Sequence, residues 1–114
     1  MPDLASLTAD LRAFAAARGW QRYHRPKNLA MALAGEAGEL AAEFQWLTPE
    51  EAEALTPEKR ELVAGEMADV LHYLARLADV LDIDLIDAAR KKMARNAERF
   101  PIRESGVTST DPVT

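Results

Sequence analysis

The chain has 114 residues, enough for one domain with a modest core, and carries a formal charge of −5 with no cysteine. The acidic balance argues against a general nucleic-acid binder, and the missing cysteines exclude a disulfide framework or a thiolate metal site. Twenty-two alanines against seven aromatic residues require closely spaced helices with thin side chains, and such a chain gains apolar burial by forming a homodimer or homotetramer.

In chain order, Leu4, Leu7, Leu11 and Phe14 recur at helical spacing and predict a first helix over Leu4–Arg18, stopped at Gly19. A polar and aromatic link, Trp20 to Lys27, leads to a second helix over Pro26–Leu47. Thr48-Pro49-Glu50-Glu51 reads as an N-cap, a first-turn proline and acids at the positive helix end, so one short extra turn follows. Thr56-Pro57-Glu58 repeats that signal and opens a third long helix to about Leu81, with an apolar line of Leu62, Val63, Met67, Val70, Leu74, Leu77 and Leu81. Asp82 or Asp84 caps a last helix that ends near Arg99 before Pro101. Residues 1–101 form one helical domain on this reading, and 102–114, rich in Ser, Thr, Gly and Pro, a flexible tail.

Helices joined by short links give an all-α, four-helix bundle-like fold in which the second and third long helices lie antiparallel. Met1 to Thr8 lacks a basic segment followed by an apolar run, and charges break every apolar stretch well before a membrane-spanning length. The expectation is a soluble cytoplasmic protein without a membrane or nucleic-acid partner.

The chemistry concentrates in "GEAGELAAEFQW", Gly35 to Trp46. Glu36 and Glu39 share a helix face at i, i+3, and Glu43 follows one turn on. Glu66 and Asp69 form a second such pair on the next long helix, at the edge of its apolar line. Four carboxylates facing each other across a helix pair take up protons or push the helices apart unless a divalent cation intervenes. An all-oxygen donor set suits Mg²⁺, with Mn²⁺ as the alternative, and Mg²⁺ commonly shares its shell with substrate phosphates. Gly35 and Gly38 each cost about 1 kcal/mol in a helix interior relative to Ala; they leave room for a ligand or for a tightly packed neighbour.

The spacing Glu36-x-x-Glu39, then 26 residues, then Glu66-x-x-Asp69 resembles the metal motif of the all-α nucleoside triphosphate pyrophosphohydrolases, the MazG and dimeric dUTPase superfamily. The blocks "NLAMALAGEAGELAAEFQW", "GEMADVLHYLARLAD" and "KMARNAERFP" resemble its dCTP pyrophosphatase-like branch. The resemblance spans about Trp20 to Pro101 and implies a MazG fold. It implies that Glu36, Glu39, Glu66 and Asp69 bind Mg²⁺, and that a nucleoside triphosphate, dCTP or a modified dCTP first, is hydrolysed to monophosphate and pyrophosphate. It also implies His24, Trp46 and Tyr73 as base or sugar contacts, and Lys92, Asn96 and Arg99, which share a face, as phosphate and nucleotide contacts. Glu43 is either an accessory acid behind the ligands or a solvated one.

Other readings accompany these. Trp20 and Trp46 also suit core anchors, Phe44 suits the core, and Lys91 and Arg95 complement the last helix's negative end. Asp69-x-x-His72 matches half of a di-iron motif, but no second copy exists, so His72 reads as a packing or surface residue. The alternatives to an enzyme are a non-catalytic nucleotide-binding bundle and a structural helical oligomer. Mg²⁺-dependent pyrophosphate release separates the first from catalysis. The second predicts no thermal stabilisation by Mg²⁺ plus nucleotide, where a ligand at 100 times its dissociation constant adds about 2.7 kcal/mol.

Overall fold

The structure, a computed structural model, describes residues 3–102; the tail expected at 102–114 lies outside them from residue 103 onward. Contacts divide the chain into two units, Met1–Asp82 and Ile83–Thr114. The described residues form helices and no strand, as the sequence periodicity predicts. No helix among them is long and apolar enough to cross a membrane.

The first unit holds α1 (Leu4–Ala17), a 3₁₀ turn (Trp20–Arg22), α2 (Pro26–Ala42), the short α3 (Pro49–Glu53) and α4 (Pro57–Val80). Local chemistry sets each boundary. Asp3 caps α1 by accepting from Ser6 N at 2.8 Å, and Gly19 follows at φ 66°, a left-handed conformation that costs glycine least. Thr48 and Glu51 exchange side-chain and backbone hydrogen bonds in a capping box at α3. Thr56 caps α4, with Pro57 in the first turn.

The second helix stops at Ala42, five residues short of the Leu47 expected from sequence. From there the backbone bonds shorten their reach: Glu43 N donates to Leu40 O at 3.2 Å, Phe44 N to Ala41 O at 3.0 Å and Leu47 N to Phe44 O at 3.0 Å. This tighter winding replaces the α pattern. Thr48, extended at ψ 162° ahead of Pro49, then ends it.

α2 packs chiefly against α4, and α1 against α4. Three side-chain links show that α2 and α4 run antiparallel. Lys59 Nζ donates to Glu43 Oε1 at 2.8 Å, Glu36 and Glu39 meet Glu66, and Arg76 Nε donates to Nδ1 of His24, just ahead of α2, at 3.2 Å. Residue numbers rise along α4 as they fall along α2. Among the described residues the buried apolar set is thin: Ala15, Leu29, Val63, Ala75 and Ala78, with Leu29 the one large side chain fully buried. Of the apolar line expected on α4, Val63 is buried and Val70, Leu74 and Leu77 are half-buried, while Leu62, Met67 and Leu81 are exposed. Phe44, expected in the core, is half-buried. An alanine-rich interface brings backbones together but leaves the larger side chains at its margins.

The second unit is α5 (Leu85–Arg99). Of the two candidate caps, Asp84 takes the role, accepting from Asp87 N at 3.0 Å. Lys91 pairs with Asp87 at 2.9 Å rather than with the helix end.

Arg76 is the buried charged residue of the first unit, 6% exposed. Its Nη1 donates to Asp79 Oδ2 at 2.8 Å, and Arg12, from α1, grips the same carboxylate through Nε at 3.0 Å and Nη2 at 2.7 Å. Arg12 first, then Arg76, holds the Asp79 carboxyl below its ordinary value against the opposing effect of burial. Asp79 therefore contributes stability above its unfolded-state value, and that stability is lost as pH falls through the lower folded value. Asp79→Asn strands a buried guanidinium and is expected to cost about 3 kcal/mol in urea unfolding. Arg12→Ala, which removes an exposed partner, is expected to cost clearly less.

Candidate functional site

α2 presents Glu36 and Glu39 one turn apart, and α4 presents Glu66 opposite them. One carboxylate oxygen from each of the three lies within 4.8 Å of the others. Glu36 and Glu66 are half-buried and Glu39 is exposed. Oε2 of Glu36 and Oε2 of Glu66 are both buried without a hydrogen-bond partner. Burial, then the neighbouring Glu39, raises the Glu36 carboxyl above its ordinary value, with Asp69 and Glu66 adding to it. Burial, then Glu39 and Asp69, does the same to Glu66.

Two orphaned buried oxygens within a knot of acids form an oxygen-rich donor set that fits a hard divalent cation. Neither Cys nor His enters the knot. Asp69, the fourth expected ligand, is exposed and stands outside the three-carboxylate group, yet its charge acts on both Glu36 and Glu66. Glu43 is outside the three-carboxylate group, yet its charge also acts on Glu66; Lys59 pairs with it at 2.8 Å and links the end of α2 to α4. A Cβ at Gly35 or Gly38 would meet nothing within 4 Å among the described residues; close packing among them does not explain either glycine.

Asp69 also lines a cavity of about 140 Å³, together with Leu11, Phe14, Ala15, Trp20, His24, His72, Tyr73 and Arg76. The expected site residues His24 and Tyr73 therefore share a wall with Asp69. His72, read from sequence as a packing or surface residue, is exposed yet joins that wall. Trp20 leans on the His24 ring at 5.9 Å and 55°, and Phe14 meets Trp20 edge-on at 5.7 Å. Trp46 is 87% exposed in the tight turn after α2 and does not line this cavity. Lys92, Asn96 and Arg99 lie on α5 in the second unit, and Arg99 stacks over Phe100 at 5.1 Å.

Sequence reasoning did not place Trp20 or Arg76 among the site residues, yet both line this cavity. Both had a signal: Trp20 precedes His24 by four residues, and Asp69, Tyr73 and Arg76 fall at i, i+4 and i+7 on one helix face.

Fold and site together define an all-α protein with an acidic, cation-fitting cluster between two antiparallel helices. The chain belongs to the MazG-like family, whose model matches residues 32–111. It is 41% identical over 107 residues to dCTP pyrophosphatase 1 of Mus musculus, covering 92% of this chain and 61% of that protein. It is 42% identical over 103 residues to the Homo sapiens protein of the same name, covering 89% and 59%. The chain thus spans about three fifths of the length of these curated relatives. The crystal structure of a pyrophosphatase from Archaeoglobus fulgidus superposes with a TM-score of 0.82 at 38% identity, covering 89% of this chain and 94% of that one.

The raised Glu36 and Glu66 carboxyls bind protons more tightly in the folded state than in the unfolded chain. Metal-free stability should therefore fall as pH rises from the ordinary carboxylate range through the raised folded values. Glu66→Gln removes one repelling charge. It is expected to raise the melting temperature of the metal-free protein at neutral pH and to abolish the further rise on adding Mg²⁺, both read by differential scanning calorimetry.

Proposed function

We propose that the chain is a Mg²⁺-dependent nucleoside triphosphate pyrophosphohydrolase that converts dCTP, or a modified dCTP, to the monophosphate and pyrophosphate. The observation that carries this is the pair of orphaned buried oxygens on Glu36 and Glu66, two members of an acid knot near an aromatic cavity that Asp69 lines. The name of these relatives, dCTP pyrophosphatase 1, supports the substrate. So does the cavity. Its volume of about 140 Å³ and its aromatic lining by Phe14, Trp20 and Tyr73 offer a flat ring a stacking surface.

Glu36, Glu39, Glu66 and Asp69 hold the cation on this reading, with Mn²⁺ as a substitute. The bound cation supplies charge neutralisation for the phosphates and lowers the pKa of a water. Glu39, the exposed member of the knot, orients the attacking water and takes its proton. The water oxygen bonds to the α-phosphorus and the bond from that phosphorus to the α–β bridging oxygen breaks. Pyrophosphate leaves with that bridging oxygen; the phosphate and nucleotide roles of Lys92, Asn96 and Arg99 rest on the family resemblance of their sequence block alone. His24, Trp20 and Tyr73 hold the base, with Asp69 between base and phosphates. No residue acts as a covalent nucleophile.

The chain works as a homodimer or homotetramer. Trp46 at 87%, Met31 at 66%, Leu62 at 57% and Met67 at 56% exposure offer a second copy more apolar surface than one chain buries. Trp46 reaches a nucleotide only as part of such an assembly.

Glu39→Gln is expected to lower pyrophosphate release from dCTP at least about 100-fold with an unchanged circular dichroism spectrum; release at the parent rate overturns the assignment. A chelator should stop the parent reaction and Mg²⁺ restore it. Across the common deoxynucleoside triphosphates, dCTP should give the highest kcat/KM. Light scattering should report two or four chain masses, and a single chain mass would refute the assembly.

A further inference from the structure

The chemistry above uses neither Arg76 nor Asp79, yet Arg76 is the one buried charged residue among those described and stands in the cavity wall. Its Nε–H donates to Nδ1 of His24 at 3.2 Å, and its Nη1 is held by Asp79 at 2.8 Å. A guanidinium carries only donors. Nδ1 of His24 must therefore offer its lone pair, and in the neutral ring the proton sits on Nε2.

We infer that Arg76 is a positioning residue for substrate recognition, locking His24 as the Nε2–H tautomer so that the ring meets the bound base as a donor. The inference rests on reading the cavity as the nucleoside subsite. A free neutral imidazole exchanges between two tautomers and presents either a donor or an acceptor. Locked by Arg76, it presents a donor only and selects ligands with a lone pair at that point, such as the carbonyl or unprotonated ring nitrogen of cytosine. A ring N–H brought to the same point leaves two donors facing each other, which a buried site penalises.

Three further observations support the lock. Burial first, and then the Arg76 charge, holds the imidazole's pKa below its ordinary value, which favours the neutral ring at pH 7. Trp20 packs against the imidazole at 5.9 Å and limits its rotation. Asp79, gripped from the other side by Nε and Nη2 of Arg12, fixes the Arg76 fork against α1. The chain of contacts thus runs from the exposed Arg12 through Asp79 and Arg76 to the ring that faces the base.

Nitrogen-15 NMR of the imidazole rings tests this on the whole ligand-free protein. The chain has two histidines, so His24→Asn assigns the signals by loss. The expected spectrum at pH 7 has Nδ1 unprotonated and Nε2 protonated on His24; an Nδ1–H tautomer or an imidazolium overturns the inference. Arg76→Met should yield a mixture of tautomers and raise KM for dCTP about tenfold, with a smaller effect on kcat. A variant that melts earlier but keeps the Nε2–H tautomer and the parent KM makes Arg76 purely structural and overturns the inference. Should that variant not fold, the parent spectrum decides alone. Titration with dCMP separates this from the subsite reading. The expected tautomer without a dCMP response at His24 removes the subsite, whereas a dCMP response at a ring with the other tautomer removes the role of Arg76.

Discussion

Like charges held close together in a half-buried gap push their supporting helices apart, and the rest of this structure is arranged around that repulsion. Glu36, Glu39 and Glu66 sit within 4.8 Å of one another at the middle of the α2–α4 pair. Polar links of the opposite character flank them: Lys59 to Glu43 on one side, and Arg76 to His24 on the other. The helix pair is tied on both sides of the strained segment and cannot splay to relieve it. Two carboxylate oxygens are left buried and unsatisfied, a cost that an incoming cation removes.

The same alanines that let α2 and α4 approach make the core thin. Ala15, Ala75 and Ala78 are buried, while side chains as large as Trp46 and Met67 are exposed. A small chain that spends its interior on close backbone contact has little apolar volume left inside it. Its large apolar groups are then free to be covered by other copies of itself. Crowded acids and exposed apolar side chains are thus two consequences of one composition.

Asp69 joins the two halves of the site. Its charge acts on Glu36 and Glu66 and its side chain lines the cavity with Trp20, His24 and Tyr73. One turn of α4 further along the same face, Tyr73 gives way to Arg76, whose partners reach back to α1. A helix of 24 residues carries the acid, the aromatic wall and the buried arginine in sequence.

Much of this was legible in the residues alone. The spacing of leucines marks the helices, and Thr48, Thr56 and Asp84, one of two candidates, act as caps where short polar side chains precede helical runs. The acid pairs are legible because i, i+3 spacing fixes a shared helix face before any folding occurs. What sequence could not supply was distance between helices. It extended α2 to Leu47, because periodicity continues through a tight turn whose hydrogen bonds have already changed reach. It weighed Trp20 as a core anchor and gave Arg76 no role, because cavity walls and buried ion pairs are assembled from residues such as Arg12 and Asp79 that lie 67 positions apart. Local geometry follows from the order of residues along the chain; which charges share a gap, and which ring faces it, was decided only when α1, α2 and α4 packed, since electrostatics and burial act through space.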